Sequence, residues 1–172
     1  RVARDAGVDV GGVQRTAGDL GTLHVVDTGD GPRPHYQRRQ SAFCREVHGA
    51  TFDWDALLSG REWLVLTGIT PLLGDGPADA WRGAIRAAAR RGVRVALDLN
   101  HRPALGDFDS LWKIVEAELP RLSLLVLSEG DVRKLAPKVL GSTNRAPLQL
   151  PGAPLPPDAE AAQFAACLRD LR

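Results

Sequence analysis

The chain has 172 residues, enough for one ordinary domain, and at 44% hydrophobic and 25% charged it is globular rather than disordered. Its formal net charge of +1 gives no general attraction to nucleic acid or to an anionic membrane. Cys44 and Cys167 fit no metal or disulfide pattern, and no apolar run reaches the ~18 residues that a membrane helix needs.

Arg1 stands where a methionine is expected, so a missing N-terminus is anticipated and the absence of a leader decides nothing. Thr22–Thr28 and His35–Arg39 flank a Gly-Asp-Gly-Pro turn and read as a hairpin. Its second arm is too polar for a core strand: it either covers a polar ligand or lies at an exposed edge. Three apolar runs follow, Trp63–Gly68, Val93–Asn100 and Leu122–Ser128, with starts about 30 residues apart. Short, almost continuous apolar runs at that spacing predict buried parallel strands. A helix is expected between the first two, with Pro77 in its first turn, an apolar stripe of Trp81, Ile85, Ala88 and Ala89, and a stop at Gly92. Arg82, Arg86 and Arg90 line another face and read as solvated. A second helix is expected over Asp109–Leu119, ended by Pro120. A third starts after Ser128 and fades before Pro137. The tail from Gly141 changes character, with prolines at 147, 151, 154, 156 and 157, and reads as an extended linker before a short amphipathic helix over Ala159–Leu171.

The middle therefore reads β–α–β–α–β–α, an α/β fold with a parallel sheet and right-handed crossovers. In open sheets of this kind ligands bind beyond the carboxyl ends of the strands. That rule points at Thr67–Thr70, Asp98–Arg102 and Ser128–Asp131. Asn100 and Arg102 can hold anionic oxygens, the guanidinium as a rigid fork of donors and the amide as a neutral one. The same residues can equally form a polar turn. In the hairpin, alternation puts Tyr36 and Arg38 on one face, a pairing that suits a sugar acid or a charged edge that resists aggregation. Ser128 and Asp131 fit a helix capping box, or a hydrated metal near phosphates. His24, His35, His48 and His101 are scattered and form no triad or metal set. Neither phosphate-loop motif is present, which argues against a Rossmann-type protein.

Six segments in order resemble the PfkB (ribokinase-like) carbohydrate kinases, the 2-keto-3-deoxygluconate kinase branch most of all. They are Ala6-Gly7-Val8-Asp9-Val10, His35-Tyr36-Gln37-Arg38-Arg39-Gln40-Ser41-Ala42, Leu66-Thr67-Gly68-Ile69-Thr70-Pro71, Arg91-Gly92-Val93-Arg94-Val95, Asp98-Leu99-Asn100-His101-Arg102-Pro103-Ala104-Leu105 and Leu127-Ser128-Glu129. The resemblance spans about Val2–Leu140. It implies a ribokinase-like parallel-sheet sandwich with a small β-hairpin lid over about residues 20–40, incomplete at both ends, and leaves 141–172 as linker.

By the same resemblance the activity is ATP-dependent phosphorylation of a sugar or sugar acid, with Mg2+ neutralising charge; the expected compartment is the cytoplasm, with an organelle as the alternative. Tyr36, Arg38 and Ile69 would bind substrate. Asn100, His101, Arg102 and Ser128 would lie at the nucleotide, Arg102 stabilising transferred charge and His101 standing where a Tyr is common. Asp131 would lie near the metal, although both residues of the family's Asn-x-x-Glu motif are changed here. The family's Gly-Ala-Gly-Asp segment, source of the catalytic base, is expected well after residue 140. The chain alone is thus expected to be inactive, and a non-catalytic PfkB-like binding or scaffold protein is the alternative. Small-molecule sugar acid and ATP are the expected partners, with neither nucleic acid nor membrane. Uncovered strand edges and helix faces would favour self-association, as a homo-oligomer or an aggregate.

Overall fold

A computed structural model describes residues 2–27 and 29–141. The linker and helix expected over 141–172 lie outside these, apart from Gly141. Two sheets are formed. In the first, β1 (Thr22–Asp27) and β2 (Pro32–Gln37) pair antiparallel, with Leu23 opposite Tyr36 and Val25 opposite Pro34. The turn between them carries Gly29 and Gly31 at φ 84° and 104°, conformations that glycine adopts without cost. Pro32 belongs to the strand and not to the turn. Pro32 and Pro34 withhold ladder donors, which an edge strand tolerates, and both strands are exposed throughout.

Three short helices escape the sequence pattern: α1 (Val2–Asp5), α2 (Ala42–Glu46) and α3 (Trp54–Leu57). At four or five residues they are too brief to show a period. The Ser41 hydroxyl caps α2 through the Cys44 N–H, and the Asp53 carboxylate caps α3 through the Ala56 N–H.

The second sheet holds β3 (Trp63–Thr67), β4 (Arg94–Asp98) and β5 (Leu124–Val126), all parallel and in that order. Each lies inside its expected run, as runs that extend past the last ladder bond shorten at their ends. The connecting helices are α4 (Asp75–Arg91) and α5 (Phe108–Glu116), with α6 (Glu129–Gly141) after β5. Helix α4 stops at Gly92, φ 68°, where the Val93 N–H reaches the Ala88 carbonyl and the Gly92 N–H the Ala89 carbonyl. These two bonds make a Schellman cap. Its buried stripe runs through Trp81, Ala84, Ile85 and Ala88; Ala89, expected inside, is exposed. Arg82 and Arg90 pair with Asp79 and Asp55 on the solvent side. Helix α5 ends earlier than expected, with Pro120 in a following 3-10 turn, Leu119–Arg121. Helix α6 continues past Pro137, against expectation. Its preceding residues Leu135 and Ala136 are buried, and packing of this kind overrides the local cost of a proline.

Because the strand order advances in one direction, right-handed crossovers put α4 and α5 on the same face. Leu64, Leu66, Val95, Leu97, Leu99, Leu125 and Leu127 point there and join Ile85, Leu111, Trp112 and Val115 in the core. The opposite face carries Trp63, Val65, Leu124 and Val126, which remain 40%, 74%, 49% and 47% exposed.

The two faces predict opposite responses. Leu97→Ala should cost about 2–5 kcal/mol in denaturant unfolding, the range for truncating a fully buried leucine. Val65→Lys should leave stability within about 0.5 kcal/mol while reducing self-association in sedimentation. A loss for Val65→Lys as large as that for Leu97→Ala would mean that the bare face is covered.

Candidate functional site

The parallel register brings Thr67, Asp98 and Val126 level at the carboxyl edge of the sheet. Beyond them the pairing continues: the Gly68 N–H donates to the Asp98 carbonyl at 2.8 Å and the Leu99 N–H to the Val126 carbonyl at 3.0 Å. The approach is tight. A Cβ on Gly68 would lie 2.2 Å from the Leu99 carbonyl oxygen, so only glycine fits.

Asn100 then turns the chain out of the sheet with φ 44°, the one non-glycine residue in the left-handed region among those described. Asparagine is among the side chains that tolerate this conformation. Its amide donates to Thr67 Oγ1 at 3.4 Å, and the same oxygen accepts from the Ile69 N–H at 3.3 Å. Thus β3, β4 and Ile69 are joined at one hydroxyl. Ile69 itself is half-buried and opens a 3-10 turn, Thr70–Leu73.

The turn leaves Arg102 exposed, with no ion-pair partner among the described residues. His101 is held on both ring nitrogens. Its Nε2 meets the Gly106 carbonyl at 3.0 Å, and Lys134 Nζ lies 3.4 Å from Nδ1. A carbonyl only accepts, so the proton sits on Nε2 and Nδ1 accepts from the lysine. The ring also stands edge-on to Phe108, with centroids 5.4 Å apart.

The hairpin joins this corner through Arg39, whose Nη2 donates to the Leu105 carbonyl at 2.9 Å. On the hairpin the Arg38 guanidinium lies 3.8 Å above the Tyr36 ring centroid, a cation–π contact that fixes both groups. Among the described residues no hydrogen bond or ion pair joins Tyr36 or Arg38 to Asn100 or Arg102. A cleft of about 890 Å3 opens at the hairpin base, lined by Arg38 together with Val13, Leu20, Phe43, Phe52 and Leu73. Its walls come mostly from loops, which carry no periodic signal.

Ser128 and Asp131 form a reciprocal cap at the start of α6. Asp131 Oδ2 accepts from the Ser128 N–H and hydroxyl at 3.1 and 2.7 Å, and the Asp131 N–H returns to Ser128 Oγ at 3.2 Å. Asp131 is 4% exposed. Among the described residues no three His, Cys, Asp or Glu side chains gather as a metal site, and no helix is long and apolar enough to cross a membrane. Arg39 and Lys134 were not singled out as ligands by the pattern. The one local signal for Lys134 is its place on α6, three residues beyond the buried Asp131.

No protein-family model matches the chain. Solved structures do. A 2-dehydro-3-deoxygluconokinase from Thermotoga maritima is 26% identical, with a TM-score of 0.67 over 95% of this chain and 46% of its own. A fructokinase from Xylella fastidiosa with bound ATP is 21% identical, TM-score 0.68, over 98% and 47%. An E. coli protein assigned as a ribokinase II, solved with ATP and Mg2+, is 17% identical, TM-score 0.65, over 96% and 47%. The fold is therefore that of the PfkB-family carbohydrate kinases. Among them the chain resembles 2-keto-3-deoxygluconate kinases, and it spans about half the length of the structures it matches, 43% to 51% of their own chains.

Two predictions test this corner. Gly68→Ala should cost about 1–3 kcal/mol, the usual range for forced overpacking, and a melting curve that matches the wild type would refute the close approach. Asp107, which caps α5 just beyond the site loop, is the pH-sensitive element. Its carboxyl is held below the ordinary aspartate range, chiefly by the Ser110 N–H and then by the Ser110 hydroxyl. A lowered folded pKa stabilises above the unfolded value, and that stabilisation disappears as pH falls through the folded one. Acid should therefore loosen the start of α5, and Asp107→Asn should show a flatter melting-temperature profile on the acid side, read by circular dichroism.

Proposed function

We propose that the chain supplies the lid and the phosphate-side corner of an ATP-dependent sugar kinase, acting on a sugar acid of the 2-keto-3-deoxygluconate type. The observation that carries this reading is the Arg39–Leu105 bond. It ties the end of the hairpin, where Tyr36 on β2 and Arg38 just beyond it pair, to the loop bearing Asn100 and Arg102. A carboxylate and hydroxyls suit the first pair, and phosphate oxygens suit the second. Ile69, bonded into the same corner through Thr67, would form an apolar wall between them.

The donor set fits ATP. Arg102 has a guanidinium without an ion-pair partner among the described residues, and Asn100 an amide, at the carboxyl edge of a parallel sheet, where such folds bind ligands. When bound, ATP supplies the transferable γ-phosphoryl group and Mg2+ neutralises its charge. Arg102 would stabilise the charge on the phosphoryl oxygens through a preorganised hydrogen-bonding fork. Asn100, locked in its left-handed turn, would orient Arg102 and offer its second amide hydrogen.

Asp131 fits Mg2+ poorly. It is buried and engaged at Oδ2 by two donors from Ser128. We assign Ser128 and Asp131 to helix capping, and no step runs through a protein-held metal. Mg2+ commonly binds phosphate oxygens and water with few protein ligands.

Calorimetric titration of the full chain tests the assignment. The sugar acid should bind more tightly than the corresponding neutral sugar, and Arg38→Ala should remove about tenfold of affinity for the acid alone, equal to ~1.4 kcal/mol. Arg102→Ala should weaken ATP and leave sugar-acid affinity unchanged. Failure of the wild-type chain to bind the acid would remove the proposal. Binding of both ligands without phosphoryl transfer in a coupled assay would instead favour the non-catalytic alternative for this chain.

A further inference from the structure

We propose that Lys134 is a phosphate-binding cation of the Asn100–Arg102 corner and that His101 is its positioning residue. The inference rests on the phosphate-side reading of that corner. It changes the part played by His101 from ligand contact to support.

The geometry is a short relay. Gly106 fixes the His101 ring through Nε2 at 3.0 Å, and Phe108 meets it edge-on with centroids 5.4 Å apart. The ring then presents Nδ1 as an acceptor, and Lys134 Nζ lies 3.4 Å from it. Phe108, 5.4 Å from the same ammonium by its ring centroid, also attracts the cation through its face. The ammonium is thus restrained by two groups without formal negative charge.

The contrast with its neighbours is informative. On the same helix Arg133 pairs with Glu129 and Lys138 with Asp109, at 2.6 and 2.8 Å. Among the described residues neither Lys134 nor Arg102 has a carboxylate partner. An ammonium held on an imidazole keeps its full charge and two N–H donors for an incoming anion. One neutralised by a carboxylate does not. Lys134 comes from α6 and Arg102 follows His101 directly in sequence, so two cations without a carboxylate partner among the described residues come from segments that meet at His101, beyond the carboxyl edge of the sheet. That arrangement suits a ligand with several anionic oxygens, such as a triphosphate, better than a single carboxylate.

The test compares ATP, inorganic tripolyphosphate and adenosine by calorimetry on the full chain, with thermal melts as the check on folding. Lys134→Met should weaken ATP and tripolyphosphate by about tenfold and leave adenosine unchanged; Lys134→Arg should retain most of the affinity. His101→Phe should weaken both phosphates in the wild-type background and have no further effect on Lys134→Met. That loss of additivity is what a positioning role requires, and a purely structural histidine would not produce it. Lys134→Gln serves as the second neutral variant if the methionine form melts early. Unchanged phosphate binding in both neutral variants would overturn the inference while leaving the sugar-kinase reading intact. A full His101→Phe effect in the Lys134→Met background would overturn the relay. If the wild-type chain binds neither phosphate, the reading of the corner fails and this inference fails with it.

Discussion

The lateral register of Leu66, Leu97 and Leu125 is the constraint on which the rest depends. These residues face the helices in one row across the parallel strands. The next row, Thr67, Asp98 and Val126, ends the sheet. Since side chains alternate, a slip of one residue would turn that strand's leucine out of the core, and in β3 or β4 it could bury Thr67 or Asp98 instead. Burial of Leu97, with the partly buried Leu66 and Leu125 packed beside it, therefore fixes the relative height of the three strand ends. The Gly68–Leu99 approach and the Asn100 turn both presuppose that alignment. Packing on one face in this way sets the geometry of a polar edge several residues away.

The same topology explains why the molecule is one-sided. Parallel strands joined by right-handed crossovers in a single direction put every connecting helix on one face. Trp63, Val65, Leu124 and Val126 consequently form an apolar strip on the other. Arg94 lies over Trp63, its guanidinium 4.3 Å from the ring centroid, and shields part of it while pairing with Glu62. A stem and a cation can cover an indole but not the whole strip. The core and its connecting helices therefore lie on one side of the three strands.

Much of this order was legible in the residues. Continuous apolar runs announced the three parallel strands, but the two-sided burial that such runs imply is not found, since Trp63, Val65, Leu124 and Val126 stay exposed. Gly92 announced the end of α4 through a backbone conformation that few other residues adopt. The Asp98–Arg102 corner was legible for the same reason as the strands: polar residues that immediately follow an apolar run fall at a sheet edge. Pro137 misled, since Leu135 and Ala136 anchor α6 by tertiary contact. Arg39 and Lys134 were illegible as parts of the corner. Their partners lie 66 and 33 residues away, and such pairings exist only after the chain has folded. Likewise, the resemblance could place a histidine at position 101 but could not show that both of its nitrogens would be spoken for.

The hairpin draws the consequences together. A two-stranded ribbon with both faces in water is marginally stable on its own, and β1 and β2 are such a ribbon. Its order has to be borrowed from its base. There the Ala42 N–H donates to the Asp19 carbonyl at 2.7 Å, Ser41 caps α2, and Arg39 grips Leu105. Leu105 in turn belongs to the loop closed by its own N–H on the Arg102 carbonyl at 2.9 Å. The base of the ribbon is therefore tied to the backbone loop that carries Arg102. On the proposed reading, a ligand that engages Arg102 would stiffen the loop to which the ribbon is tied, and one that engages Tyr36 and Arg38 would stiffen the ribbon that grips the loop. By linkage these effects are reciprocal. On the sugar-kinase reading, the two substrates would each favour the arrangement that receives the other, by ordering of the lid and without requiring any direct contact between the two sets of side chains.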